Sequence, residues 1–316
     1  MRVAITGSGG RLGRALVEAL GDAPFTGPFG PMAWTRAEFD LDAPGAIGER
    51  IERDRVECVV HAAAWTDVDG CARDPDLARR RNGEATTLLA QACASRGVDL
   101  VAISTNEVFD GHRTDERGYG AADETNPINA YGASKLAGEL GARRAYERLA
   151  GVKTGPYAGE GSFVPGSVQL AIVRTAWLFG PPGNDFPAKI LAAAERARLA
   201  GTPLKVVGDE IGSPTFTVDL AAAIVELLGS GAFSGLHHVV NAGAVSRAGW
   251  ARELFRQAGL DVEIEEVPAS TWPRASTPPA WAVLEPTPLP GGEPLESWQA
   301  ALAHDLPGLL RTAARP

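Results

Sequence analysis

The chain has 316 residues, 45% of them hydrophobic and 22% charged, which is the balance of a soluble globular protein with room for one large α/β domain or two lobes. A net charge of −9 excludes a broad basic footprint for nucleic acid or an anionic membrane, so any anionic ligand must be held by local groups. Met1 is followed at once by "RVAITG", no run of about 18 apolar residues occurs, and Cys58, Cys71 and Cys93 form neither a metal-ligand spacing nor a disulfide framework; a cytoplasmic protein with reduced thiols is expected.

The predicted elements alternate from the start. The strand "VAIT" (3–6), a helix near 12–20, the strand "CVVHAAA" (58–64), a helix near 75–95 and the strand "LVAIST" (100–105) follow at βαβ spacing. Strands that read as continuous apolar runs predict a parallel sheet covered by helices on both faces. A long polar loop, 110–129, leads to a helix starting near Ala130, and its length predicts a functional loop. Residues 151–168 read as an irregular Gly- and Pro-containing insertion before the strand region 170–180. Ser246 is a predicted N-cap, and the Pro-dense tail 268–294 is predicted to be mostly loop.

Three motifs carry chemistry. "TGSGGRLG" places Gly7, Gly10 and Gly13 directly after the first strand. Glycines there allow a tight turn, close approach of backbone to a pyrophosphate and close helix–sheet packing, and the helix N-terminus then offers free N–H groups. After the second strand, near "MAWTRAEFDL", the first polar residues are Thr35 and Arg36, with no acid until Glu38. An arginine in that place suits a 2′-phosphate, so NADPH is expected over NADH. In "YGASK", Tyr131 and Lys135 lie four apart and share a helix face. An ammonium beside a phenol is expected to lower its pKa, which fits the phenol for proton exchange with a carbonyl while a nicotinamide exchanges hydride.

Together with "HAAAWTDVD", "ISTNEVFDG", "NPINAYGASKLAGE", "VRTAWLFG", "GNDF" and "DEIGSPTFTVDLA", these motifs resemble the extended short-chain dehydrogenase/reductases, and more narrowly the dTDP-4-dehydrorhamnose reductase family. The resemblance runs in order over residues 1–250 and more loosely to about 285. It implies a doubly wound Rossmann fold with a mainly parallel sheet over 1–180, with return strands near 203–208 and 236–242. A smaller, partly discontinuous C-terminal α/β substrate-binding lobe is implied over 181–316. The implied reaction is NAD(P)H-dependent reduction of the C4 ketone of a nucleotide-linked 6-deoxyhexulose.

Carried onto this chain, the resemblance places the catalytic trio on Thr105, Tyr131 and Lys135, with Lys135 also holding the nicotinamide ribose and depressing the Tyr131 pKa. Cofactor contacts fall on Gly10, Arg11 and Leu12, on Asp40 and Leu41 near the adenine, on Ala63, Ala64 and Trp65, and on Tyr131 and Lys135. Substrate contacts fall on Thr105, Asn106 and Trp177. Three departures stand out. Asn106-Glu107 replaces the reductase pattern Asp-Tyr; related dehydratases carry Asp-Glu there, and Asn106 cannot act as the acid of an elimination. Glu107 has no role by resemblance, and its place at a strand end leaves contact with the sugar or with solvent open. "STPPAWAVL" puts Pro278-Pro279 where an Arg-Pro pair is common, with Arg274 upstream, and 151–168 is an insertion. The substrate class implied is a nucleotide sugar. A reductase of another deoxysugar pathway and a non-catalytic NADP-binding subunit, similar to the methionine adenosyltransferase β-subunit, are the alternatives. No metal-ligand cluster is visible, and the resemblance leaves Mg2+, and monomer against homodimer, open.

Overall fold

The computed structural model describes residues 1–150, 168–182 and 185–313; most of the 151–168 insertion, and Gly183-Asn184 of the "GNDF" motif, lie outside them. The centre of the molecule is a six-stranded, wholly parallel sheet. Its spatial order is Gly235–His238, Leu170–Thr175, Asp99–Thr105, Cys58–His61, Val3–Thr6 and Met32–Trp34. Val3–Thr6 and Cys58–His61 are buried along their whole length, which is why they read as unbroken apolar runs rather than as an alternation. One face packs on helices Arg11–Gly21 and Thr217–Gly229, through Leu12, Leu16, Leu20, Leu220, Ile224 and Leu227. The other face packs on Ile47–Asp54, Ala85–Ala94 and Ala130–Leu149, through Ile51, Leu89, Cys93, Ala142 and Tyr146.

From the first strand the chain goes to the edge strand Met32–Trp34, then crosses to Cys58–His61 on the other side of the first. Progress across the sheet therefore reverses between Val3–Thr6 and Cys58–His61. The crevice beyond the carboxyl ends of two such strands is where ligands of open α/β sheets bind.

The long helix Ala130–Leu149 is fixed on the sheet by a buried ion pair. Arg174 of the fifth strand donates to Glu139 from Nη2 at 2.7 Å and from Nε at 3.0 Å, and Ser104 Oγ also donates to Glu139. Ser104 is thus an inward-packed strand residue, as its place in the apolar run implies.

A second hydrophobic cluster lies beyond the carboxyl edge of the sheet. Helices Phe186–Ala200, Arg247–Ala258 and Trp298–Ala313 pack around Phe179, Trp250, Phe255 and Leu302. Ser246 caps the second of these by accepting from Gly249 N at 3.0 Å. The expected return strand near 236–242 joins the main sheet beside Leu170–Thr175. The strand Leu204–Val207 does not: it pairs in parallel with Ile264–Val267 in a separate two-stranded sheet of the second cluster. A short apolar strand can satisfy its ladder wherever an edge is free, and here Ile264–Val267 supplies one. Within the polar loop 110–129, Tyr119 is buried and bridges to Leu284. Among the described residues, no helix is long and apolar enough to cross a membrane.

Candidate active site

The turn after the first strand is built for close approach. Gly7 has φ +68°, and a Cβ there would lie 2.8 Å from the backbone of Ala63; at Gly13 a Cβ would lie 2.1 Å from Gly7 O. Gly10 is the N-cap of Arg11–Gly21 and carries no side-chain cap, so the helix opens with backbone donors facing the crevice. Across the crevice, Thr6 Oγ1 accepts from Ala63 N at 3.2 Å and pairs with His61 Nδ1 at 2.8 Å, while His61 Nε2 pairs with Thr86 at 3.0 Å. Burial drops the His61 pKa to about 3, so this imidazole stays neutral and serves as a brace.

A cavity of about 300 Å³ starts at Gly7 and Gly10 and runs past Ala62, Ala63, Ala64 and Trp65 to Arg36, Phe39, Asp40, Leu41, Asp42 and Arg81. A second cavity, of about 360 Å³, shares Gly7, Gly10, Ala62 and Ala64 with the first. It takes in Arg11, Leu12, Gly13, Thr105, Asn106, Glu107, Tyr131, Lys135, Thr175 and Trp177. A third, of about 610 Å³, adjoins the second at Thr66, Trp177 and Leu178 and is lined by Lys189, Lys205, Glu210, Arg247, Trp272 and Arg274. One continuous trough therefore leads from the Arg36 end, past Tyr131, into the second cluster.

In the middle of the trough, Asn129 caps the helix that carries Tyr131 and Lys135. Lys135 Nζ donates to Ile103 O at 2.7 Å, at the end of the strand that supplies Thr105. Burial lowers the Lys135 pKa to about 8. The tyrosine behaves contrary to the expected depression by Lys135. Burial, and then the Glu107 carboxyl, push the Tyr131 phenol up, and a hydrogen bond with Thr105 only partly opposes them. The physical reason is desolvation: the lysine is spent on a backbone carbonyl and the phenol gains no compensating charge.

Glu107, which had no expected role, faces this cavity. Asn129 Nδ2 donates to its Oε2 at 2.7 Å, and burial raises its pKa despite that bond and the nearby cations Arg274 and Arg247. Asn106 lines the wall but is largely committed: its Nδ2 donates to Ala282 O at 3.0 Å and its Oδ1 accepts from Thr105 at 3.2 Å.

Trp177 holds a left-handed backbone, φ +41°, an uncommon conformation for a bulky residue and one that tends to mark a functional position. Its ring lies 3.4 Å from the Arg247 guanidinium carbon, stacks on Trp250 at 5.9 Å, and would collide with a Cβ at Gly212. Arg247 is desolvated there, its pKa lowered to about 10 against the attraction of Glu210.

The trough thus gathers Gly7, Gly10, Arg11, Leu12, Gly13, Arg36, Asp40, Leu41, Ala63, Ala64, Trp65, Thr105, Asn106, Tyr131, Lys135 and Trp177. Thr35 is outside it. Its backbone N–H and its hydroxyl both donate to Glu38, so the residue closes a turn rather than meeting the cavity. Phe39, Asp42, Arg81 and Arg247 are wall residues that motif reading missed, and the charge of "RRRN" at 79–82 was the one visible signal for Arg81; Glu107 and Arg274, named in the sequence without a role, also line the trough. Among the described residues, no group of three or more His, Cys, Asp or Glu could hold a metal. A nicotinamide dinucleotide fits the first two cavities. The glycine turn has no room for side chains where a pyrophosphate needs backbone, and Arg11 Nε, 3.9 Å from Asp185, and Thr175 Oγ1 are buried in the walls without a hydrogen-bond partner.

Comparison with known proteins gives the same lineage. The model of the RmlD substrate binding domain family matches residues 1–156 and 153–309. The dTDP-4-dehydrorhamnose reductase of Mycobacterium tuberculosis is 34% identical over 311 residues, 96% of this chain and 92% of that protein. The dTDP-4-keto-6-deoxy-D-glucose reductase of Streptomyces niveus is 34% identical over 307 residues, 96% of each chain. The crystal structure of the Bacillus anthracis dTDP-4-dehydrorhamnose reductase in complex with NADP superposes with a TM-score of 0.80 at 30% identity, covering 96% of this chain and 98% of that one. The match spans both the sheet and the second cluster, and the chain belongs to the dTDP-4-dehydrorhamnose reductase family.

Proposed function

We propose that this chain reduces the C4 ketone of a nucleotide-linked 6-deoxyhexulose with NADPH. The observation that carries the reading is the position of Thr105 and Tyr131. Both residues line the cavity that joins the glycine turn to the cation-rich pocket of the second cluster. A dinucleotide entering from the Arg36 end and a nucleotide sugar entering from the Arg247 end would meet there. The bound nicotinamide supplies the hydride. Thr105 and Tyr131 hydrogen-bond the ketone oxygen, and Tyr131, kept protonated by burial and Glu107, gives it a proton. Lys135 binds the ribose beside them. Trp177 lies against the sugar where the second and third cavities meet, and Arg247, Arg274, Lys189 and Lys205 supply the positive charge that an anionic nucleotide needs in a chain with net charge −9.

The division of labour follows the fold: the main sheet carries the cofactor end, and the helices beyond it form most of the substrate end. The M. tuberculosis relative and the NADP-bound B. anthracis structure support dTDP-4-dehydro-L-rhamnose as substrate and NADP as cofactor. The S. niveus relative, equally similar, favours as a second reading a 4-keto-6-deoxyglucose that has not been epimerised. The test is NADPH consumption with dTDP-4-keto-6-deoxyglucose, with and without a 3,5-epimerase. Turnover only with epimerase supports the rhamnose route, and equal turnover without it supports the second. Tight NADPH binding with turnover of neither sugar would overturn the reductase reading in favour of a non-catalytic NADP-binding subunit.

A further inference from the structure

The far end of the first cavity is closed by two arginines and two aspartates that come from separate parts of the chain. Arg36 follows the edge strand Met32–Trp34, whereas Arg81 stands in the π-helical turn Arg79–Glu84, beyond the third strand. Both guanidiniums converge on one carboxylate. Arg81 donates from Nε and Nη2 to the two oxygens of Asp42 at 2.6 and 2.7 Å, and Arg36 Nη2 donates to Asp42 Oδ2 at 3.0 Å. Asp40 accepts from Arg36 Nε at 3.4 Å and fixes the Asp42 backbone N–H at 3.0 Å. The Arg81 guanidinium carbon lies 5.2 Å from the centroid of the Trp65 ring, a contact that holds it beside the cavity. Arg81 and Arg36 keep the Asp42 carboxyl below its ordinary range, so it is ionised wherever the protein is folded at neutral pH.

Two guanidiniums meeting on one oxyanion is the arrangement that recognises a phosphate monoester. Here the oxyanion is the protein's own. The four side chains sum to no net charge, and a phosphate group of about −1.5 to −2 must displace Asp42 to reach both arginines. An unphosphorylated ribose meets no such competition, and its hydroxyls find carboxylate acceptors. We propose that Asp42 is a specificity-determining residue that stands in the 2′-phosphate position between Arg36 and Arg81, narrowing the margin by which this chain prefers NADPH to NADH. The inference rests on the reading that this cavity takes the adenosine half of a nicotinamide dinucleotide.

Equilibrium binding tests it without turnover. The intact chain and its Asp42→Asn, Asp42→Ser and Arg81→Gln variants are titrated calorimetrically with NADPH, NADH, 2′,5′-ADP and 5′-AMP, after thermal melting confirms that each is folded. Both Asp42 variants are expected to tighten NADPH and 2′,5′-ADP about tenfold, the size of one freed charged contact, with the NADPH-to-NADH affinity ratio rising by the same factor. Arg81→Gln is expected to weaken the phosphorylated ligands alone. Equal shifts for NADPH and NADH would overturn the proposal. So would weaker NADPH binding in both Asp42 variants, since Asp42 would then be orienting the arginines. Failure of the unmodified chain to bind either dinucleotide would instead sink the cofactor reading on which the proposal rests.

Discussion

Asn129 and Glu107 are joined by a hydrogen bond of 2.7 Å, and the same Asn129 starts the helix that carries Tyr131 and Lys135. Its Oδ1 accepts from Gly132 N at 2.8 Å as the helix cap, while its Nδ2 holds the Glu107 carboxylate against the phenol. One amide therefore caps the helix that carries the proton donor and also holds the carboxyl that raises the phenol's pKa. Gly132 is part of this fit, because a Cβ there would lie 1.9 Å from Glu107 O.

Glu107→Gln keeps an acceptor for Asn129 and removes the charge. Glu107 raises the Tyr131 pKa, so the substitution is expected to lower it. An alkaline absorbance titration, with the Tyr131→Phe variant as blank, reads that shift directly. Turnover should fall less than in Tyr131→Phe, because proton donation survives in Glu107→Gln. An unmoved phenol would mean that burial alone sets its acidity.

Tyr131→Phe deletes the proton donor and leaves the ring's packing in place. A positioned general acid contributes about 10²–10⁴ in rate, and turnover with the keto sugar is expected to fall within that range. NADPH affinity should change little, since the glycine turn and the Arg36 end of the trough, which hold the rest of the dinucleotide, are untouched. Activity within a few-fold of the unmodified chain would show that another group lining the cavity, such as Glu107, delivers the proton.

The pH profile separates Lys135 from Tyr131. The lysine pKa is lowered to about 8 by burial, whereas the phenol is pushed up. A cationic lysine is the form that binds ribose hydroxyls, and a protonated phenol is the form that reduction needs. As pH rises through about 8, the free enzyme loses the lysine's proton first. The alkaline limb of kcat/KM is therefore expected near that pH, and Lys135→Arg, which keeps its charge, should carry the limb upward. A profile flat into the range where tyrosine ionises would remove Lys135 from the proton balance.

The parts of this site that were legible in the sequence are those encoded locally. The strand, glycine turn and helix that begin the chain occupy adjacent residues, and Tyr131 and Lys135 are one helical turn apart, so spacing alone predicts that each set acts together. Arg81, Arg247 and Arg274 reach the trough through a π-helical turn, a helix start and a loop that only tertiary packing brings there. The charge run at 79–82 and the displaced Arg274 are visible in the order of residues, but neither shows that the side chain reaches the trough rather than a solvated face. The misread return strand has a similar cause: Leu204–Val207 is apolar enough for either sheet, and its partner Ile264–Val267 lies far along the chain. Thr35 stands outside the trough for a local reason, since Glu38, three residues on, takes up both its donors.

The Arg174–Glu139 pair makes a prediction about stability rather than chemistry. Both side chains are 3% exposed, so neither can recover hydration if the other is lost. Glu139→Gln leaves the Arg174 guanidinium buried without a counter-charge and weakens the acceptor of Ser104, the neighbour of Thr105. Breaking a buried pair from one side costs about 3–5 kcal/mol, whereas replacing both partners by apolar groups of matching volume is close to neutral. Urea unfolding should therefore show a loss of that size in Glu139→Gln, and recovery of most of it in the double variant Glu139→Leu with Arg174→Met. If the double variant is no more stable than the single, His238 is the place to look. Its Nε2 lies 3.5 Å from Arg174 Nη1 and its pKa is held down to about 4, so its neutral ring would be an acceptor that the guanidinium still requires.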